Sequence, residues 1–386
     1  MIESKKLKDI SLSIGSGITP RRDNKSYWEN GTIPWLKTEQ LVEKNIYDTN
    51  EKISQIALDE TSIKLFPVNT LSMAMYGEGR TRGNVSILKK AMTTNQACCN
   101  IVIDSKMADY EFVYYYLKTQ YEQLRGLSSG VRKNLNSNDI KEYEIRLPSD
   151  ISTQQKIAAV LTALDAKIEL NARINAELES MAKTVFRYQF VENKEKGNWK
   201  IGTLGDIAEN IRRSANPNEI KPETHYIGLE HMPRKSIALA DYGNASELES
   251  NKYAFKTGEF LFGKLRPYFH KVGIAPVDGV CSTDILVIAP KSPEWYGFVL
   301  GHISSDEIIK YADATSGGTK MPRTNWESLA KFEISIPPVE TAKEFSEFFV
   351  PTAKQIRTNI LESQTLTELR DWLLPMLMNG QVKIKG

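Results

Sequence analysis

The chain has 386 residues, of which 41% are hydrophobic and 25% charged, and its net charge is +2 at neutral pH. That composition fits a soluble globular protein with room for two or three domains, each burying its own core. Near-neutrality means that bulk charge does not argue for a polyanion partner, so any nucleic-acid surface has to be a local basic patch offset by acidic residues elsewhere.

The opening "MIESKKLKDISLSIG" lacks the uninterrupted apolar run of a signal peptide, and no later stretch is long enough to span a bilayer. Residues 1–150 read as a first head. Short alternating runs such as "YEIRLP" are punctuated by Gly, Pro and Asn, which predicts strands joined by loops with a few short helices. Cys98 and Cys99 lie in the apolar run "NQACCNIVI", and Cys281 stands alone. The three read as reduced core thiols, which points to a cytoplasmic protein.

Residues 151–192 change character. From Ser152 to about Val191 there is no Gly or Pro, and Ala, Leu, Lys, Glu and Gln dominate, so a long helix is predicted. "STQQ" at 152–155 fits a capping box at its start. Ile157, Leu161, Leu164, Ile168, Asn171, Asn175, Leu178, Ala182 and Val185 step alternately by four and three, the spacing of a coiled-coil seam.

Residues 193–338 return to the strand-rich pattern as a second head. Residues 339–378 predict a second helix, with "TAKE" at 341–344 as its capping box and 379–386 as a tail. Its seam reads Phe345, Phe349, Thr352, Ile356, Asn359, Ser363, Leu366, Arg370 and Leu373. Asn171 and Asn359 fall at equivalent seam positions, where a buried polar residue fixes register and partner at some cost in stability. Pro351 predicts a kink or restart, and Pro375 with "NGQ" at 379–381 predicts the end of the helix.

The two heads repeat one another. "SSGVRKNLNSNDIKEYEIRLP" ends at Pro148 and "SGGTKMPRTNWESLAKFEISIP" at Pro337, 189 positions apart. The same spacing puts Phe66 over Phe255, Leu71 over Phe260 and Thr94 over Thr283. A period this long means a duplicated domain. The fold class is therefore α+β: two similar mixed α/β heads joined by two long helices that form an antiparallel coiled coil, related by a pseudo-two-fold axis. A helix of some 40 residues is roughly 60 Å long and acts as a rigid spacer.

Catalytic motifs are missing from the sequence. There is no phosphate-binding loop, no dinucleotide fingerprint in a strand–helix context and no nucleophile elbow. His225, His231, His270 and His302 lack metal-ligand spacing. The loops carry the chemistry instead, setting basic and amide side chains beside aromatics and glycine. Arg and Lys reach phosphates and guanine edges, and Asn and Gln pair with adenine. In the first head the candidates are Arg21, Arg22, Lys37, Arg80, Arg82, Arg132 and Lys133. In the second they are Arg212, Arg213, Lys264, Arg266, Lys320 and Arg323. Trp35, Tyr76, Tyr268 and Trp326 read first as local core aromatics and second as groove liners. Two similar heads on a spacer suit two half-sites about one DNA turn apart, and their differing loops predict differing half-site sequences.

The order of head, helix, head and helix, with "GSGITP" near the start and "SSGVRKNLNSNDIKEYEIRLP" running into "STQQKIAAVLTALDAKIELN", resembles the specificity subunits of type I restriction–modification systems. The second helix departs from the pattern where "FSEFFVPTAKQI" replaces the regular "KIAAVLTALDAKI". The resemblance covers essentially the whole chain. It implies that each head is a target recognition domain reading part of an asymmetric bipartite site in double-stranded DNA. It also implies that the helices set the spacer and dock two modification (methyltransferase) subunits, with two restriction (translocase and nuclease) subunits completing the complex. On that resemblance the chain is non-catalytic and needs no cofactor of its own. S-adenosylmethionine, ATP and Mg belong to the partners, which flip and methylate adenine and cleave DNA. Two other readings compete: a single-chain restriction or methyltransfer enzyme, and a coiled-coil scaffold with two protein-binding heads.

Overall fold

The computed structural model describes all residues except 1, 78–80, 128–133, 247, 319, 383 and 385–386. The chain forms two compact units, Met1–Asp165 with Leu369–Gly386, and Ala166–Glu368. The division falls inside both long helices.

In the first unit, Ile2–Lys6 pairs antiparallel with Glu144–Pro148, so the first and last strands of the head lie together. A five-stranded sheet runs Ser11–Ser16, Cys98–Ile103, Leu71–Ala74, Val85–Leu88, Asn45–Ile46. A smaller sheet sets Ile33–Leu36 between Glu51–Ile53, antiparallel, and Thr93–Thr94, parallel. Helix Tyr110–Thr119, capped by Asp109, buries Phe112, Val113 and Leu117 in the core.

The second unit repeats these pairings. Lys200–Thr203 pairs with Glu333–Ile336. Ala208–Asn210, Ile285–Pro290, Phe260–Gly263 and Val272–Ile274 follow the same order as their counterparts. His225–Ile227 lies between Gly243–Asn244, antiparallel, and Gly279–Cys281, parallel. The recurring Asn-rich phrase now has a cause. Asn136 caps helix Ser137–Glu142 and Asn325 caps helix Trp326–Leu329, each just ahead of the head's closing strand. One residue pairing in the sequence repeat is corrected. Leu71 faces Ile101 while Phe260 faces Ile288, and Thr94 pairs with Leu36 as Cys281 pairs with Ile227. Thr94 therefore corresponds to Cys281, not Thr283. The connection is two residues shorter in the second head, and a shift of two keeps every side chain on its own face of the sheet.

The first long helix spans Ile151–Phe186 and ends in a π-helical turn, Arg187–Val191. Neither predicted capping box forms, because both helices start earlier. Asp150 caps the first, its carboxylate accepting from the Ser152 and Thr153 amides at 3.2 and 3.0 Å. The second spans Val339–Met378, and the Pro338 carbonyl takes the Thr341 and Ala342 amides. It runs without a restart through Pro351 and does not stop at Pro375. The carbonyls these prolines orphan belong to Glu347 and Asp371, both on the exposed face, where water can serve as donor. Gly380 ends the helix in a left-handed turn (φ 72°), donating to the Leu377 carbonyl while Gln381 donates to that of Met376.

Within the second unit the helices run antiparallel. Asn175 meets Ile356 and Asn359, Asn171 meets Asn359 and Ser363, and the Phe186 ring lies 5.9 Å from Phe345. The irregular "FSEFF" segment has its reason here. Phe345 and Phe349 join Phe186, Phe190 and Phe298 in one aromatic core. Gly297 and Gly301 make room for it, since a Cβ on Gly301 would stand 2.2 Å from the Phe186 ring. In the first unit, Ile157, Leu161, Leu377 and Met378 pack into the core of the first head.

Candidate nucleic-acid interface

In the first head, the "GSGITPRRDN" loop is pinned from beneath. Gly17 approaches the Thr94 carbonyl so closely that a Cβ would stand 2.1 Å from it. The Trp35 indole, 2% exposed, donates to the Ile18 carbonyl at 3.0 Å, and that of Trp28 donates to the Arg21 carbonyl at 3.1 Å. These two rings meet edge to face at 5.0 Å, and the Arg22 guanidinium lies 3.8 Å over Trp28 and 4.7 Å over Trp35. Glu51 bridges Arg22 to Lys37, whose ammonium is 2.6 Å from its other oxygen. The Arg22 guanidinium, then Lys37, holds the Glu51 carboxyl below the usual range, and Glu51 in turn raises Lys37. The first head thus carries a preformed corner of two cations, two indoles and two carboxylates, since Glu39 also lies 2.9 Å from Lys37. Arg21 is exposed beside it, and Arg82 is half-buried on the loop after Leu71–Ala74. Arg80, Arg132 and Lys133 lie outside the described residues.

In the second head the predicted cations separate into different roles. Arg213 forms a two-pronged pair with Glu259 at 2.8 and 2.5 Å, and so holds strand to turn. Arg323 pairs with Asp284 at 3.0 Å and Arg212 with Glu327 at 2.7 Å. Lys264 sits among them: burial pushes its ammonium down, Asp284 opposes that, and Arg323 and Arg212 add to it. Arg212, Lys264 and Arg323 therefore form one cluster with the carboxylates of Asp284 and Glu327. Lys320 is exposed. Arg266 is left-handed (φ 50°), a conformation that costs about 1 kcal/mol for a residue with a Cβ.

The aromatic candidates also divide. Trp35 is buried in a core of the first head and Trp326 packs against the core of the second, whereas Tyr76 and Tyr268 are 40% and 49% exposed. Sequence reasoning missed Arg234, whose guanidinium lies 4.0 Å over Phe269, next to Tyr268. "PRK" at 233–235 was the available signal. Cys98, Cys99 and Cys281 are buried free thiols, each pushed up to about 12 by burial.

The helix pair carries a polar layer. Asn359 donates to Asn175 Oδ1 at 2.8 Å, Asn171 donates to Glu362 at 2.8 Å, and Gln355 donates to Asn359 Oδ1 at 2.8 Å. Asn171 is fully buried and its Oδ1 is unpartnered. The other seam residues, Ile157, Leu161, Leu164, Ile168, Leu178, Val185, Phe345, Phe349, Ile356, Leu366 and Leu373, are all buried or half-buried. In the first unit, Lys44 reaches Glu111, Tyr115 and Thr162 at 3.1, 2.8 and 3.1 Å, and Asp165 binds Arg370 at 2.9 Å. This buried network ties the first head to the start of one long helix and the end of the other.

Two heads of one topology, each followed by a long helix and each presenting basic loops with an exposed aromatic, define a duplicated nucleic-acid-recognition protein. The type I restriction modification DNA specificity domain matches residues 2–180 and again 196–369, and the chain belongs to that family. It is 28% identical to the type I restriction enzyme MjaIX specificity subunit of Methanocaldococcus jannaschii, over 99% of this chain and 93% of that one. With the EcoDI specificity subunit of Escherichia coli the identity is 22%, over 74% of each chain. Among solved structures, the S subunit of a type I restriction-modification system from M. genitalium shares the fold. The TM-score is 0.62 at 18% identity, over 98% of this chain and 96% of that one.

Proposed function

We propose that the chain reads a bipartite DNA target for a type I restriction–modification complex, residues 1–150 taking one half and 193–338 the other. The observation that carries this reading is one strand topology furnished with two different cation sets. The first head offers Arg22 and Lys37 around Glu51, and the second offers Lys264 and Arg323 around Asp284 with Arg212 on Glu327 beside them. A shared frame with divergent loops yields two half-sites of different sequence. Guanidinium and ammonium groups contact phosphates and guanine edges, and a carboxylate among them can accept from cytosine N4.

The long helices set the gap between half-sites and dock the partners. Trp372, 58% exposed, and Leu369, Phe348 and Val350 leave apolar surface on the second helix for such docking. Two modification subunits supply S-adenosylmethionine and methylate adenine, and two restriction subunits supply ATP- and Mg-dependent translocation and cleavage. This chain positions the target in the cytoplasm and does no chemistry itself. The test is to co-express the chain with its modification subunit and map methylated adenines across the host genome by single-molecule sequencing. The expected result is a split motif, two short defined parts around a fixed undefined gap. A contiguous motif would remove the two-headed reading, and no methylation from a soluble, associated pair would turn the chain into a scaffold.

A further inference from the structure

Among the described residues, five without the freedom of glycine have positive φ, and three of them meet at one place in the second head. These are Lys235 (φ 59°), Arg266 (φ 50°) and His270 (φ 50°). The other two are Asn30 and Asn69, a residue type that tolerates the left-handed region. In the first head the equivalent connection makes its turns with Gly77 (φ 134°) and Gly83 (φ 88°). The second head therefore keeps long side chains where the first uses glycine, and accepts the strain.

Strain of this kind persists only where the surroundings over-determine it. Here they do. The Arg266 amide donates to the Pro322 carbonyl, that of His270 to Pro267 and that of Lys235 to His270, each at 2.8 Å. The buried His270 ring donates from Nε2 to the Ser304 carbonyl at 2.9 Å. Arg234 and Arg266 lie 4.0 and 5.9 Å over Phe269, whose ring is 4.9 Å from that of Tyr268. Lys271 is spent inside the fold, its Nζ donating to the Leu229 carbonyl at 2.5 Å. The outcome is an exposed phenol on a rigid base beside two guanidinium groups.

We propose that the loop Lys264–Lys271 is a stacking contact of the second head, with Tyr268 against a nucleobase of its half-site and Arg234 and Arg266 on the flanking phosphates. This rests on the reading that the second head binds DNA. A preordered loop loses little entropy on docking, an aromatic ring inserts at a duplex step that unstacks cheaply, so that the contact depends on the bases there, and guanidinium groups engage phosphate oxygens. The strained backbone at Arg266 and His270 fixes the path of the chain on either side of Tyr268.

The test uses the complete complex with wild-type chain, Tyr268→Ala or Tyr268→Phe, co-expressed with the modification subunit. Methylated adenines are mapped, and the purified complexes are titrated with a duplex carrying the mapped target. Tyr268→Ala is expected to weaken binding about ten-fold or more and to relax base preference in one half of the motif only. Tyr268→Phe is expected to keep both. Unchanged binding and motif for Tyr268→Ala would overturn the loop's role while leaving the two-headed reading intact. Equal loss in Tyr268→Phe would move the contact to the hydroxyl and overturn stacking. Loss in both halves with a lowered melting temperature would make Tyr268 a residue of the fold. A wild-type complex without a split motif would overturn the two-headed reading and the loop's role with it.

Discussion

Arg22 would be an indifferent surface cation if it stood alone. Set against two indoles and a carboxylate, it is held in place before any ligand arrives. Glu51 also restrains it, since the same carboxylate that orients Arg22 and Lys37 competes with phosphate for them. We expect Glu51→Gln to bind non-specific duplex more tightly and to steepen the salt dependence of binding by about one unit of slope in a log–log titration. A weaker, less salt-dependent complex would make Glu51 a base reader instead. Glu51 also links stability to pH. Its folded value lies below the ordinary 4.5, so the unfolded state takes up the proton first. Its contribution is complete above that ordinary value and is lost as pH falls through the folded one. Acid unfolding followed by circular dichroism should show a shallower loss for Glu51→Gln below about pH 4.5 than for wild type.

The informative elements are the two long helices. Their seam has a polar middle, where Asn171, Asn175 and Asn359 bond to one another or to the facing backbone. An amide layer stabilises less than leucine would, but it penalises any shift that separates donor from acceptor. Asn359→Leu alone should lower unfolding free energy by about 1–3 kcal/mol, because it strands buried partners. Leucine at all three positions should raise the melting temperature above wild type, measured by calorimetry. A triple variant less stable than the single one would mean the layer is needed for folding, not register.

For the whole molecule, two heads bound to one duplex act as linked sites, and the second contact forms at an effective concentration set by the connection. A duplex with only one half-site should therefore bind the complex about 10²- to 10⁴-fold more weakly than the split target. Equal affinity for both duplexes would mean that one head reads alone.

Periodic features were legible because their causes are local. The four-and-three spacing of the helices follows from helical pitch, and the duplicated phrase follows from Asn136 and Asn325 capping equivalent turns. Family membership was legible for the same reason, since it rests on these recurring elements in order. What the sequence hid was everything settled by a distant partner. Asp150 and Pro338 start the helices ahead of the boxes that local pattern favours, and both prolines are tolerated because the carbonyls they orphan face water. The fate of each cation depended on a carboxylate tens of residues away: Glu51 for Arg22, Glu259 for Arg213, Asp284 for Arg323. Local sequence determined the elements and their duplication through backbone propensity and periodicity. Only the tertiary structure decided which charges are spent inside the fold and which face outward, because ion pairing depends on distance in space.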